Sequence, residues 1–136
     1  MTKEIMIDGI PVLFRADASI PRLYRIHFGR DVFADMGSLM RKIAPNAKPK
    51  ELAEQEVEEI QEQLDISSMD TEVLENMAYI MAYHADNTIP DNIDDWLDQF
   101  EMFSIYEVLP EILALWGTNL ITDVDSKKNL NAVAGR

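Results

Sequence analysis

The sequence predicts a mainly helical α+β protein with one small N-terminal β-hairpin. Five stretches repeat apolar residues with a helical period, whereas only two short runs near the N-terminus are β-prone. A chain of 136 residues has the size of one domain and can bury a core without a disulfide or a metal. We therefore predict a single compact helical domain over residues 1–122. A disordered tail follows over residues 123–136, which are polar and lack periodicity.

The hairpin prediction rests on the first fourteen residues. Two β-prone runs, Glu4 to Ile7 and Ile10 to Phe14, flank the dipeptide Asp8-Gly9. This dipeptide tolerates the positive φ angles of a type I′ turn, which joins antiparallel strands. An isolated two-stranded hairpin is marginal in water, so we expect it to pack on the helices.

Two helices are predicted after the hairpin. The first is capped by Ser19, has Pro21 in its first turn and ends at Gly29. Its apolar stripe consists of Ile20, Leu23, Tyr24 and His27. The second is capped by Asp31 and ends at Pro45, and one of its faces carries Val32, Phe33, Met36, Leu39, Met40 and Ile43.

The middle of the sequence predicts one weak helix and one strong helix. Residues 51–64 have a narrow apolar stripe among many Glu and Gln, which is typical of an exposed helix. The stronger helix runs from its cap Asp70 to Tyr83. Its broad apolar face consists of Val73, Leu74, Met77, Ile80, Met81 and His84.

Two further helices are predicted after Pro90. Asp91 opens a short helix that carries Trp96, Leu97 and Phe100. Ser104 and Glu107 have the spacing of a capping box at the start of the clearest core helix. The apolar positions of that helix are Ile105, Val108, Leu109, Ile112, Leu113 and Trp116. We expect Pro110 on its polar face, with a bend there, and an end at Gly117.

The charge of the sequence is distributed unevenly. Residues 51–126 include 20 acidic residues and no Lys or Arg, whereas the first 50 residues carry nine basic and five acidic ones. Nucleic-acid phosphates need Lys and Arg to displace counterions, so the larger part of the molecule is not expected to bind nucleic acid. We expect the arginines of the first third to pair with the acidic half of the same chain, or with that of a neighbouring copy in a homo-oligomer. These are Arg15, Arg22, Arg25, Arg30 and Arg41.

No pattern in the sequence predicts catalysis, a cofactor or a metal site. Cysteine is absent, and His27 and His84 lack metal-ligand spacing, so each is interpreted as a histidine at a core edge. Asp91, Asp94, Asp95 and Asp98 are predicted to form a solvated acidic face. They are not predicted to bind calcium, because the segment lacks the glycine and the glutamate of a calcium-binding loop. We therefore expect that this protein is not an enzyme. With no leader and no apolar stretch of membrane length, we expect a cytoplasmic protein without membrane contact.

Aromatic and methionine side chains are dense in the C-terminal half. Such residues most often form a core, but methionine-rich helical faces also adapt to irregular partners. The candidate partner-binding residues are Met77, Met81, Trp96, Phe100, Phe103 and Tyr106.

Several phrases resemble the tail assembly chaperones of long-tailed, siphovirus-type phages and prophages of Gram-positive bacteria. The phrase IPRLYRIHFGRD at residues 20–31 is one, and ENMAYIMA at residues 75–82 is another. The others are WLDQF at residues 96–100 and SIYEVLPEI at residues 104–112, followed by Leu115-Trp116. The similarity extends from the hairpin to Trp116 and includes no catalytic motif.

The resemblance implies a chaperone that binds the phage tape-measure protein. It would keep that long helical protein soluble in the host cytoplasm during tail tube assembly and would be missing from the mature virion. The resemblance also implies a longer product, made by programmed frameshifting, that recruits the tail tube protein. Codons for Lys127-Lys128-Asn129 could form the slippery sequence.

The acidic stretch also permits a different class of function. A small acidic phage protein can present carboxylates in place of phosphates and so inhibit a DNA-binding protein. The 76 residues without a base favour this DNA-mimic hypothesis, whereas the basic first third and the aromatic-rich C-terminal helix do not.

Overall fold

In the computed structural model, which describes residues 1–43, 71–104 and 107–117, an N-terminal hairpin packs against helices. The predicted mainly helical α+β class is confirmed. In chain order the elements are β1 (Thr2–Ile7), β2 (Ile10–Arg15), α1 (Ile20–Phe28), α2 (Val32–Ile43), α3 (Thr71–Ala85), α4 (Ile93–Leu97) and α5 (107–117).

The hairpin has the predicted turn. Asp8 and Gly9 both have positive φ, at 53° and 75°, which is the backbone of a two-residue hairpin loop. Beyond the strands, Met1 and Ala16 exchange two hydrogen bonds of 2.9 Å. Hydrogen-bonded pairs alternate along the ladder from there, so Pro11 is at a non-bonded position and faces the free edge. That position suits proline because no N–H is required of it.

Helix α3 is the central element of the core. It packs against β2, α1, α2 and α4. The sequence predicted that α3 is buried along one face. The structure also buries Asn76 and Tyr79, and every residue from Asn76 to Ala82 is buried. The helix is enclosed because neighbours approach it from several directions, which periodicity within one helix does not reveal.

The ends of α1 and α2 differ partly from prediction. Ser19 precedes α1, but its side chain makes no capping bond; instead its N–H donates to Asp17 Oδ1 at 2.9 Å. Gly29 ends α1 with φ 66° and donates its N–H to the Arg25 carbonyl. Asp31 accepts from the Phe33 N–H at 2.9 Å, as expected for the cap of α2.

Two side chains predicted in apolar stripes are exposed. Phe33 of α2 is about half exposed, with its ring centroid 5.6 Å from that of Trp116. His27 of α1 is exposed, with its ring centroid 5.1 Å from that of Tyr83. Both rings lie at the edge of the core, where one side packs and the other side faces solvent.

The last two helices require two corrections. Asn92, and not Asp91, caps α4, because its Oδ1 accepts from the Asp95 N–H at 2.8 Å. Pro110 is buried and not on a polar face, because α5 is covered on nearly every side. Gly117 is the last described residue of α5, so the predicted helix end there stays a prediction. The first turn of α5 does reach Ser104, whose carbonyl accepts from the Val108 N–H at 3.0 Å.

Several predictions lie outside the described residues. These are the helix over residues 51–64, the cap Asp70, Tyr106 and the tail over residues 123–136. Within the three described ranges, no helix has the length and apolar character needed to cross a membrane.

Candidate interaction surface

The two faces of the hairpin have different environments. Ile5 and Ile7 of β1 are buried against the helices, and the alternate residues point outward. The register places Glu4 opposite Leu13 and Met6 opposite Pro11 on that outer face. The two large apolar members, Met6 and Leu13, are 51% and 46% exposed. The outer face therefore combines the apolar side chains of Met6, Pro11 and Leu13 with those of Thr2, Glu4 and Arg15, and no described element covers it.

A groove flanks the outer face on each side. The first has a volume of about 350 Å³ and is lined by Glu4, residues 10–13 of β2, and Ala82, Asp86, Ile89, Trp96, Gln99 and Phe100. The second has a volume of about 300 Å³ and is lined by Met6, Asp8, Gly9, Met102, Ser104 and Glu107. We use the name hairpin surface for Glu4, Met6, Ile10, Pro11, Leu13 and Met102.

The hairpin turn is attached to the segment between α4 and α5. The N–H of Glu101 donates to Asp8 Oδ2 at 3.0 Å, across 93 positions of sequence. This bond holds the next residue, Met102, beside the turn, where it is 67% exposed and shares a groove with Met6. Residues that are distant in sequence therefore contribute to one apolar patch.

The charged residues that line the two grooves are all acidic: Glu4 and Asp86 in the first, Asp8 and Glu107 in the second. Side-chain and backbone hydrogen bonds from Thr88 hold the pKa of Asp86 below its ordinary value. Lys3 is on the opposite face of β1 and pairs with Glu111 of α5. The apolar patch thus has a negative rim.

Apart from Arg15, which shares the outer face with Leu13, the exposed basic residues lie on another part of the described molecule. Arg22 and Arg25 are exposed on α1, and Arg41 and Lys42 are exposed on α2. Pairing of the first-third arginines with the acidic half of a neighbouring copy stays a prediction. Within the chain, Arg15 contacts Asp17 and Arg30 contacts Asp35. Both partners belong to the basic third itself, because short sequence separation brings them together.

A buried polar network joins α1 and α2. Arg30 donates two hydrogen bonds of 2.8 Å to the carboxylate of Asp35, and the Tyr24 hydroxyl donates a third at 2.7 Å. The Arg30 bonds hold the pKa of Asp35 below its ordinary value despite burial. Burial, together with Asp35, raises the pKa of Tyr24. This network was not predicted from the sequence, because Tyr24 and Asp35 lie on different helices and meet only when α1 and α2 pack together.

A further polar contact, between Asp17 and His84, joins the basic third of the chain to the acidic half. His84 Nε2 of α3 lies 2.8 Å from Asp17 Oδ2, and the Arg15 Nε lies 3.1 Å from the same oxygen. Burial tends to raise the pKa of Asp17, but hydrogen bonds from His84 and from the Ser19 N–H lower it overall. His84 is at a core edge, as interpreted from the sequence, but its partner was not foreseen.

The structure distributes the candidate partner-binding residues between core and surface. Met77, Met81 and Trp96 are buried, so in this conformation the two methionines offer no surface to a partner. Phe100 is 9% exposed and lines the first groove together with Trp96. Phe103 is half-buried, with its ring centroid 6.1 Å from that of Trp96. Their role in binding stays a prediction, and Tyr106 is outside the described residues.

The hairpin surface was missed because its residues are not a helical stripe. Met6 and Leu13 were interpreted only as parts of β-prone runs, and Met102 only as part of an aromatic-rich segment. One signal was available in the sequence. Both β-prone runs have apolar residues at consecutive positions, whereas a hairpin with one covered face needs them only at every second position.

The acidic residues around α4 point into solvent. Asp91, Asp94, Asp95 and Asp98 are exposed. Among the residues that the structure describes, no group of three or more His, Asp or Glu side chains could hold a metal ion.

Comparisons with protein-family models, curated proteins and solved structures found no match to this chain.

Proposed function

We propose that this protein is a tail assembly chaperone that binds the tape-measure protein of a long-tailed phage and keeps it soluble. The observation that carries the proposal is the hairpin surface. It is an apolar patch in which Met6, Leu13 and Met102 are 51%, 46% and 67% exposed, and it lies beside two grooves whose described charged residues are acidic. The similarity of residues 20–31, 75–82, 96–100 and 104–112 to such chaperones supports the same class.

The physical argument concerns what an unassembled helical client needs. A long helical protein exposes apolar stripes until the tube surrounds it, and exposed stripes cause association. Methionine side chains are flexible and polarisable, so Met6 and Met102 can adapt to irregular stripes along a client. The net charge of −13 makes coated clients repel one another. Covering and repulsion together oppose aggregation, and no chemical step is required.

The proposal includes a place and a set of partners. The protein acts in the host cytoplasm, assembles as several copies on one client and leaves before the virion is complete. A longer frameshifted form would recruit the tail tube protein. The exposed basic side chains of α1, Arg22 and Arg25, and the acidic residues of α4 offer opposed charges for contact between copies.

Co-expression with a tape-measure protein tests the proposal. We expect the soluble fraction of the client to rise with the wild-type chain and to fall with the double variant Met6→Asp/Leu13→Asp. Ile26→Asp is the matched control, because Ile26 is 65% exposed on α1 and lines neither groove. A client that stays insoluble with the wild-type chain contradicts the proposal.

The DNA-mimic hypothesis has one observation in its favour, the exposed carboxylates around α4. The double variant Asp94→Lys/Asp98→Lys separates the two functions. For a chaperone, we expect this change to lower the solubility of the complex more than its affinity. If the lysine changes abolish partner binding and the Met6→Asp/Leu13→Asp change has no effect, the acidic face is the recognition surface.

A further inference from the structure

The geometry and charge of the hairpin surface specify the kind of segment that it binds. We infer that the hairpin surface accepts an amphipathic helix whose apolar stripe is flanked by Lys or Arg. The inference rests on the proposed function only in taking the client to be helical. Three observations support the inference: the apolar patch indicates an apolar stripe on the ligand, the acidic rim indicates basic flanks, and the proline on the strand edge favours a helix over a strand.

The apolar part of the surface is continuous across the hairpin. Glu4 and Leu13 form one cross-strand pair and line the first groove, and the neighbouring pair, Met6 and Pro11, leads to the second groove. Adjacent pairs on one face of a sheet lie within reach of a single ligand side chain. A stripe laid across the hairpin would therefore contact Leu13 and Met6 and could place side chains in both grooves.

The rim sets the charge of the ligand. Of the described residues that line the two grooves, the charged ones are Glu4, Asp8, Asp86 and Glu107, and none is basic. Cations beside the ligand stripe would meet these carboxylates, whereas anions would be repelled. Exposed pairs contribute little each and are screened over about 8 Å at physiological salt. The rim thus selects among ligands, and the apolar patch supplies most of the affinity.

The free edge of β2 favours a helix over an added strand. A strand bound at this edge would need the outward N–H groups of β2 for main-chain hydrogen bonds. Pro11 occupies the outward position nearest the turn and has no N–H, so a strand added at this edge would lack one of its main-chain hydrogen bonds. A helix satisfies its own main-chain groups and needs only side-chain contact.

Two matched synthetic peptides test the inference. Each has about 20 residues, enough to form a helix, with Leu at helical spacing. One carries Lys beside the stripe and the other carries Glu. Isothermal titration should show that the Lys peptide binds roughly five-fold or more tightly than the Glu peptide, and that this preference shrinks as salt rises.

Substitutions then locate the binding. Met6→Asp/Leu13→Asp should weaken binding of the Lys peptide about ten-fold or more, because two apolar contacts are lost and two carboxylates would have to be desolvated beneath the apolar stripe. Glu4→Lys/Glu107→Lys should remove or reverse the preference for the Lys peptide. Thermal unfolding of each variant checks that the fold is retained.

Two controls match these changes in chemistry and exposure. Ile26→Asp adds a carboxylate at an exposed apolar position on α1, and Asp94→Lys/Asp98→Lys reverses two exposed acids that line neither groove. Both controls should bind the Lys peptide within about two-fold of the wild type, apart from a general effect of net charge that salt removes.

Three outcomes would overturn the inference. The first is equal binding of the two peptides at low salt. The second is binding that folded Met6→Asp/Leu13→Asp protein retains. The third is dissociation of a pre-existing oligomer by that variant without peptide, in sedimentation, since the occupant would then be a second copy. If the Lys peptide binds at the hairpin but no tape-measure protein is solubilised, the proposed function fails and the surface stands.

Discussion

Methionine occupies two different environments in this protein, the centre of α3 and the outer face of the hairpin. Met77 and Met81 have no exposed surface, whereas Met6 and Met102 are 51% and 67% exposed. The α3 residues are enclosed because strands and helices pack around that helix. On the hairpin the described helices cover one face, and Met6 and Leu13 on the other face are exposed. The number of neighbouring elements, and not residue type, separates core methionines from methionines available to a partner.

The comparison changes which residues are candidates for binding a client. Their helical spacing suggested that Met77 and Met81 line a binding groove. A partner could reach these buried side chains only if α3 separated from its neighbours. The hairpin surface requires no such rearrangement. The same adaptable side chain is therefore used once to fill the core and once on an open face.

The largest expected effect comes from truncating the two kinds of methionine. Met77→Ala should lower the free energy of unfolding by about 2–5 kcal/mol, because it leaves a cavity at a position with no exposed surface. Met6→Ala should change it by less than about 0.5 kcal/mol, since solvent replaces the lost atoms. Urea denaturation of both variants measures the difference. Similar losses would mean that the hairpin surface is covered in solution.

The second expected effect concerns the polar network that joins α1 and α2. Asp35→Ala removes three hydrogen bonds and leaves the buried Tyr24 hydroxyl without its acceptor. We expect a loss of about 1–3 kcal/mol at neutral pH. Asp94→Ala, at an exposed position, is the control.

The pH dependence of that effect has a definite sign. The folded-state pKa of Asp35 is below the ordinary value of 3.8, so its ionised form stabilises the folded protein above that pH. The stability is lost as pH falls through the folded-state pKa. The difference between wild type and Asp35→Ala should therefore narrow below about pH 4 in urea denaturation. A difference that is constant with pH would show that the ionised carboxylate is not what stabilises the network.

Local signals predicted the fold class well. The Asp8-Gly9 turn, the Gly29 helix end and the Asp31 cap all act over a few residues, and the structure has each of them. The stripe of α5 was also correct at Val108 and Leu109, because an apolar period encodes burial directly.

What the sequence did not predict depends on contacts between distant segments. Nothing local marks that His84 meets Asp17 or that Asp8 accepts from the Glu101 N–H. The burial of Pro110 likewise depends on which elements surround α5. The hairpin surface belongs to this class, since its exposure depends on which face of β1 and β2 the helices pack against.

The smallest expected effect tests the hairpin turn against a glycine in a helix. Gly9 has φ 75°, which an L-residue adopts at a cost, so Gly9→Ala should destabilise by about 1–2 kcal/mol although nothing lies within 4 Å of its added Cβ. Gly37 is inside α2, where an added Cβ would lie 3.6 Å from the Arg41 guanidinium, an ordinary contact. Gly37→Ala should therefore stabilise by about 0.5–1 kcal/mol.

The two glycine variants also connect stability to binding. Because the turn holds Met6 beside Met102, a strained turn in Gly9→Ala should weaken binding of the Lys-flanked peptide, whereas Gly37→Ala should leave it unchanged. Thermal unfolding and titration of the same samples separate the two readouts. Stabilisation by Gly9→Ala would mean that the turn does not have positive φ in solution. Unchanged peptide binding by a destabilised Gly9→Ala would mean that the turn geometry does not set the position of the two methionines.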